Sequence, residues 1–158
     1  IMAGTLKVKV EENIILDNQD YSSKRVFEIS SIANITKKIV TIASGDDATV
    51  LVFKSTTAIA DGALDLQTVK YIRITNLDSS NSINISLQLD SDEDNSAADA
   101  SISHLLEAGR NFIMGTPDEA AHCSTANANI ITALTDLESI IIDPGSNSGQ
   151  VEVFVAST

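Results

Sequence analysis

The chain is 158 residues long and 43% hydrophobic, with 4% aromatic residues, no tryptophan and a formal net charge of −12. That length and hydrophobic share predict a folded domain with its own core and argue against disorder. The excess of acids argues against nucleic acid and against an anionic membrane surface as partners, because both are bound through clustered lysine and arginine.

Apolar and polar residues alternate in steps of two along most of the chain. The clearest case is 82–90, where isoleucine and leucine alternate with asparagine, serine and glutamine. Because successive side chains of a strand point to opposite faces, this pattern predicts sheets with one buried face and one face in water. The strand candidates, in chain order, are 5–12, 24–31, 37–43, 48–54, 69–76, 82–90, 101–106, 110–115, 129–134, 137–142 and 150–157.

Three segments carry more specific signals. The stretch 48–54 is apolar on both faces, as expected of a central strand. An Asn-Leu-Asp-Ser-Ser-Asn turn follows 69–76, so 69–90 predicts a hairpin with a loop of about five residues. Thr116, followed by Pro117 and two acids, has the form of a helix N-terminus and predicts one short helical turn at 116–122.

These elements predict the fold class. About ten short strands, with minimal helix and no linker or composition shift, indicate one all-β domain spanning 1–158. The expected architecture is an antiparallel β-sandwich of the jelly-roll kind. The side chains expected in its core are Val8, Val10, Val26, Ile39, Val50, Val52, Ile72, Ile74, Ile85, Leu87, Ile113, Val153 and Val155.

One loop has the start of a calcium-binding pattern. Asp90, Asp92 and Asp94 have the 1-3-5 spacing that opens a calcium loop. However, the sixth position is Asn95 rather than glycine, and the twelfth is Ser101 rather than a bidentate glutamate. A solvated acidic turn is therefore the favoured interpretation, and a weak Ca²⁺ site is the alternative.

Residues that could support catalysis are few. His104 alternates with apolar neighbours and is expected to be a partly buried strand histidine. Cys123 is expected to be a small buried side chain rather than a nucleophile, and its neighbour His122 would point away from it on a strand. No phosphate loop, zinc motif or nucleophile elbow is present, and no spacing singles out a carboxylate pair. We therefore predict no catalytic residues, no enzyme activity and no cofactor.

The cysteine count and the first residues bear on the compartment. A single cysteine excludes a disulfide within the chain. Ile1-Met2-Ala3-Gly4 runs straight into the first predicted strand without the apolar segment of a signal peptide. We therefore expect a protein made in the cytoplasm and not exported by the Sec route.

Four stretches carry a resemblance to a known class. They are the Met-Ala-Gly start that enters a strand at 2–12, the run 71–78 with its turn, the Leu-x-x-Gly-x-x-Phe turn within 106–113, and the closing strand 151–158. Together they resemble the small all-β virion structural proteins of marine tailed bacteriophages. The resemblance implies a jelly-roll-like sandwich that assembles into a particle, and it implies no catalytic residues.

The function expected from this resemblance is that of a non-enzymatic virion structural protein, such as a head decoration, neck or tail component. Its partners would be itself, most simply as a trimer, and other virion proteins, within a virion made in the host cytoplasm. An interface along one of the two terminal strands is expected, because edge strands invite pairing. The alternative is a carbohydrate- or small-ligand-binding sandwich module, which the missing tryptophan counts against. The side chains expected at the interface are Leu6, Val8, Val10, Val151, Val153 and Val155.

Overall fold

The computed structural model describes residues 3–55, 62–90, 100–124 and 133–158. These residues form strands, turns and loops, with no helix among them. The strands are β1 (Gly4–Glu12), β2 (Ile15–Leu16), β3 (Gln19–Asp20), β4 (Ser23–Ile32), β5 (Asn34–Ile42), β6 (Ala48–Lys54), β7 (Leu64–Asp65), β8 (Val69–Asn76), β9 (Ile83–Asp90), β10 (Ala100–Leu106), β11 (Asn111–Met114), β12 (Asp136–Asp143) and β13 (Gly149–Ser157).

Two sheets face each other in the main body of the molecule. One has the order β10-β9-β12-β6-β7 and the other the order β11-β8-β13-β5. Neighbouring strands are antiparallel except β6 and β7, which are parallel. The first strand of this body, β5, pairs with the last, β13. Inside this pair in chain order lie the pairs β6–β12, β8–β11 and β9–β10, each nested within the one before it. This nesting is the rolled-up connectivity of a jelly roll, so the predicted fold class is confirmed, with thirteen strands rather than about ten.

The core lies between the two sheets and follows the alternation in the sequence. In β9 the side chains of Ile83, Ile85, Leu87 and Leu89 are buried while those between them are half-buried. Strand β6 is buried on both faces, through Val50, Leu51 and Phe53, as its continuous apolar run predicted. The remaining members of this core are Ile42, Leu66, Val69, Ile72, Ile74, Leu106, Leu137, Ile140, Ile142, Val151, Val153 and Val155.

The predicted hairpin at 69–90 is wrong. Strands β8 and β9 lie in opposite sheets, and the loop between them crosses from one sheet to the other. The buried side chain of Asn76 fixes this crossing, since its Nδ2 donates to the carbonyl oxygens of Asn81 at 2.9 Å and Leu106 at 3.2 Å. The sequence showed a turn but not which strands it joined, because a hairpin and a crossing loop use the same turn residues.

The predicted helical turn at 116–122 is also wrong. The backbone there forms a turn, with Glu119 at a φ of 45°, and Ala121 makes a β-bridge with Thr135. These tertiary hydrogen bonds take the backbone groups that a helix would have used. Of the strand candidate 129–134, residues 129–132 lie outside the described residues, and 133–134 are not in a strand.

Four side chains expected in the core are exposed instead. Val10 and Val26 lie on a hairpin that projects from the sandwich, and Ile39 and Ile113 lie on the outer face of the four-stranded sheet. Alternation shows that two faces differ but does not show which one a second sheet will cover. Of the other nine, Val52 is half-buried, and those that are buried are Val8, Val50, Ile72, Ile74, Ile85, Leu87, Val153 and Val155.

Candidate assembly surface

Residues 4–32 form a single long hairpin, named here the arm. Strands β1 and β4 pair over most of their length, with Val8 opposite Phe27 and Glu12 opposite Ser23. The short strands β2 and β3 continue this hairpin to its end. Asp17 and Asn18 form the closing two-residue turn with φ values of 52° and 63°, the left-handed conformations of a type I′ turn.

The base of the arm packs on the outer face of the four-stranded sheet. Val8 and Ile32 are buried there together with Tyr71 of β8 and Ala156 of β13. The rings of Tyr71 and Phe154 meet edge to face, with centroids 6.0 Å apart. This second apolar cluster is separate from the main core, and it fixes the direction in which the arm leaves the sandwich.

The arm has an apolar face and a charged face. Leu6, Val8 and Val10 lie opposite Ile29, Phe27 and Arg25, and so form one face. The other face carries ion pairs, with Lys7 Nζ 2.8 Å from Glu28 Oε1 and Lys9 Nζ 3.0 Å from Glu11 Oε2. The apolar face therefore continues from the cluster at the base into solvent.

Beyond its base, the arm is exposed. Every residue from 9 to 28 is exposed, and Ile15, at 74%, is the most exposed of the large apolar side chains there. A two-stranded hairpin in water is only marginally stable by itself, and contiguous exposed apolar side chains mark interaction sites. The large apolar side chains exposed on this part of the arm are Val10, Ile14, Ile15, Leu16, Tyr21, Val26 and Phe27.

Beside the arm, the outer face of the sheet carries an ionic cluster. Glu152 of β13 accepts from Arg73 at 2.6 Å and lies 3.2 Å from Lys37 Nζ of β5. Arg73 also donates to Thr75 Oγ1 and lies 5.7 Å from the centre of the Phe154 ring. The hydrogen bonds from Arg73 and then from Lys37 lower the pKa of the Glu152 carboxyl from its ordinary value of 4.5. The cluster joins β5, β13 and β8 and keeps the Glu152 carboxylate ionised near neutral pH.

Two cavities are relevant to binding. The first, of about 230 Å³, lies at the base of the arm and is lined by Gly4, Thr5, Leu6, Ile32, Ala33 and Ile35. We name it the root cleft. The second, of about 370 Å³, lies between loops at one end of the sandwich and is lined mainly by serine, asparagine and Asp143 side chains. No aromatic ring lines the second cavity, so it lacks a stacking platform for a sugar.

The structure separates the two terminal strands that were expected to form an interface. Val151, Val153 and Val155 are buried in the core, and β13 is paired on both sides, by β5 and β8. That half of the expectation is wrong, because an interior strand has no free edge to offer. Leu6 and Val8 pack at the base of the arm and Val10 is exposed along it, so an interface on the first strand stays a prediction.

The calcium candidate is not assembled by the described residues. Asp90 ends β9 and is 3% exposed, whereas Asp92 and Asp94 lie outside the described part of the chain. Within the described ranges, no three histidine, cysteine or acidic side chains are close enough together to hold a metal ion. The site therefore stays a prediction from spacing alone.

The histidine and cysteine predictions need correction. His104 on β10 is exposed rather than partly buried, and its ring lies 5.6 Å from that of Phe112. Cys123 is exposed rather than buried, because the segment after Ala121 leaves the sheet. His122 beside it is half-buried. Exposure by itself does not activate a thiol.

Sequence reasoning missed the end of the arm. The hairpin turn is centred on Asp17 and Asn18. The available signal was three consecutive apolar residues, Ile14, Ile15 and Leu16, directly before an Asp-Asn pair. Three apolar residues in a row at a polar turn cannot all be buried by a two-stranded hairpin, which is a sign of an external partner.

Comparison with known proteins adds little to this geometry. No family model matches the chain, and no curated protein matches it. A solved structure with some likeness is described as "Bacillus endospore appendages form a novel family of disulfide-linked pili". It has a TM-score of 0.37 and 10% identity, and covers 78% of this chain and 88% of that one. At this TM-score the likeness carries no argument about function. In the part of the chain that the structure describes, no helix is long and apolar enough to cross a membrane.

Proposed function

We propose that this protein is a non-enzymatic structural subunit that acts by self-association and docking. The observation that carries the proposal is the arm, with residues 9–28 all exposed and seven large apolar side chains among them. At roughly 100 Å² for each half-exposed large side chain, these seven offer about 700 Å², near the roughly 800 Å² per partner of a standard interface. A two-stranded arm with this much exposed apolar surface gains stability when a partner covers it.

The setting we propose is a bacteriophage virion, as a head decoration, neck or tail component. The sequence resemblance to virion proteins of marine tailed phages supports it, as does the jelly roll, an architecture used by viral capsid proteins. A fold alone does not determine function, so the resemblance and the arm together carry this assignment. The assignment is tested by the coding gene's neighbours: capsid, portal or tail genes beside it support the proposal, and a neighbourhood of metabolic genes contradicts it.

A second candidate is a module that binds a carbohydrate or another small ligand. The observation in its favour is the cavity of about 370 Å³, whose size is within the range of ligand sites. Its serine and asparagine side chains could bind hydroxyl groups, but the cavity has no aromatic lining. Ligand-observed NMR with a panel of monosaccharides tests this candidate, and Asn84→Ala, which alters the cavity lining, should abolish any binding seen.

Self-association is tested by shortening the arm. Lys9 and Val26 are directly opposite each other, so residues 10–25 can be replaced by Asn-Gly to close a two-residue hairpin at that point. This variant keeps the buried base of the arm and should fold as the parent does. Light scattering at micromolar concentration should give an oligomer for the parent, with a trimer expected, and a monomer for the variant. A parent of 16.7 kDa would overturn the proposal of self-association.

A further inference from the structure

The two ends of the arm carry complementary surfaces. The far end, residues 12–23, contains three acids and neither lysine nor arginine, and we name it the tip. Its exposed apolar side chains include Ile15 and Leu16, which are neighbours on β2 directly before the closing turn and therefore point to opposite faces of the hairpin. Covering these exposed apolar side chains removes more apolar area from water than covering side chains that are already half-buried.

The root cleft is an uncharged surface that can bind the apolar side chains of the tip. None of its six lining residues is charged, and its volume of about 230 Å³ is below the roughly 300–1,000 Å³ of a small-ligand site. A cleft of this size accommodates one or two large side chains. Ile35, which lines it, is itself exposed and therefore available to an incoming chain.

Strand β5 extends this surface away from the cleft. It pairs with β13 along its whole length, and in the described part of the chain no strand pairs with its other edge. Such an edge presents unpaired backbone groups that can bind an added strand. Ile35, Lys37 and Ile39 share its outer face, because they lie opposite Ala156, Phe154 and Glu152.

The charges of the two surfaces are opposite. The segment 29–45 contains Lys37 and Lys38 and no acid, although the chain as a whole carries a net charge of −12. Lys37 is held by Glu152 on the outer face. Lys38 lies opposite Val153, so it is on the other face of this edge strand, and it has no ion-pair partner among the described residues. Electrostatic complementarity of this kind selects partners and orients them on approach.

We infer that the tip of one copy of this chain binds the root cleft and the β5 edge of a second copy. A copy cannot use its own tip, since the eight steps from Lys9 to Asp17 place it roughly 26 Å from the base at about 3.3 Å per residue. The contact is therefore head to tail, and such contacts close into rings or continue as filaments. A ring of three copies would satisfy the expected trimer. This inference rests on the self-association proposed above.

Two exposed double variants test the contact. Ile15→Ser with Leu16→Ser removes the apolar tip, and Ile35→Ser with Lys38→Glu alters the cleft and the β5 edge. Each variant alone should be monomeric, with a thermal midpoint equal to that of the monomeric arm-shortened protein. Mixed in equal amounts, they should form a species of twice the 16.7 kDa chain mass, because one intact tip meets one intact root.

The mixing step separates this inference from other modes of assembly. If tips bound tips, the root variant alone would stay oligomeric, and if roots bound roots, the tip variant alone would do so. Either result would show that the head-to-tail contact is wrong. Double variants that stay oligomeric like the parent would overturn this contact while leaving self-association in place. A monomeric parent would overturn the proposed function itself. Leu105→Ser, an exposed apolar substitution on the other sheet, is the matched control and should leave the oligomer intact.

Single charge reversals give a second measurement in case a double variant fails to fold. Glu12→Lys on the tip and Lys38→Glu on β5 change exposed side chains only. Each should weaken association by about tenfold at low salt, and the mixture of the two should recover most of it. Reversals that leave the dissociation constant unchanged would contradict the inference.

Discussion

Arg73 and Glu152 are joined at 2.6 Å between the neighbouring strands β8 and β13, on the sheet face that also receives the arm. Lys37 reaches the second oxygen of the same carboxylate from β5. One acid therefore connects three strands of the four-stranded sheet. This arrangement keeps Glu152 ionised near neutral pH. Protonation of Glu152 in acid should therefore weaken the link between the three strands.

Acid should weaken the fold through Glu152. Its pKa is lower in the folded chain than its ordinary value of 4.5, so its stabilisation is fully present above pH 4.5. That stabilisation is lost as the pH falls through the lower, folded pKa. Glu152→Gln should lower the urea midpoint at pH 7, and the difference from the parent should shrink below pH 4.5. Glu107→Gln, which removes an exposed ion pair with Arg110, should leave the urea midpoint unchanged both at pH 7 and below pH 4.5.

Side chains on opposite faces of two neighbouring strands should differ sharply in their cost of truncation. Ile74 of β8 is fully buried, so Ile74→Ala should destabilise the fold by about 2–5 kcal/mol through lost burial and a residual cavity. Ile113 of the adjacent β11 points outward, and Ile113→Ala should cost less than about 1 kcal/mol. Urea unfolding of the arm-shortened monomer measures both values. Equal costs would contradict the assignment of faces.

The crossing loop between β8 and β9 should depend on Asn76. Its side chain accepts from Asp78 N and donates to two carbonyl groups, so Asn76→Ala leaves buried polar groups unpaired and should cost about 1–3 kcal/mol. Asn76→Asp should cost more at pH 7, because it sets a carboxylate against those carbonyl oxygens. Asn147→Ala, at an exposed position, serves as the control in thermal unfolding. A harmless Asn76→Ala would show that this side chain does not hold the crossing.

Gly149 should tolerate no side chain. A Cβ at this first position of β13 would lie 2.8 Å from Cβ of Pro144 in the preceding turn. Gly149→Ala must therefore displace backbone-attached atoms and should destabilise the fold by about 1–3 kcal/mol. Gly115→Ala meets no atom within 4 Å and should change stability by less than about 0.5 kcal/mol. The prediction fails if the two midpoints coincide.

The sequence alone determined the strands and their periodicity. Segments 48–54 and 69–76 were predicted to the residue, and the all-β class follows from two-residue alternation, which is a local property of the chain. The same alternation on β1 and β4 was read as a sign of burial, and Val10 and Val26 are exposed there. Periodicity says which side chains share a face, but not what covers that face.

Only the tertiary structure decided the partners of each strand. The turn after Asn76 leads into the opposite sheet because Asn76 binds the carbonyl of Asn81 within the loop and that of Leu106 on β10, and no local pattern encodes the second contact. For the same reason, β13 became an interior strand while β1 left the sandwich as half of the arm. Strand pairing is settled by contacts between residues far apart in sequence, so the candidate assembly surface became visible only once those contacts were in place.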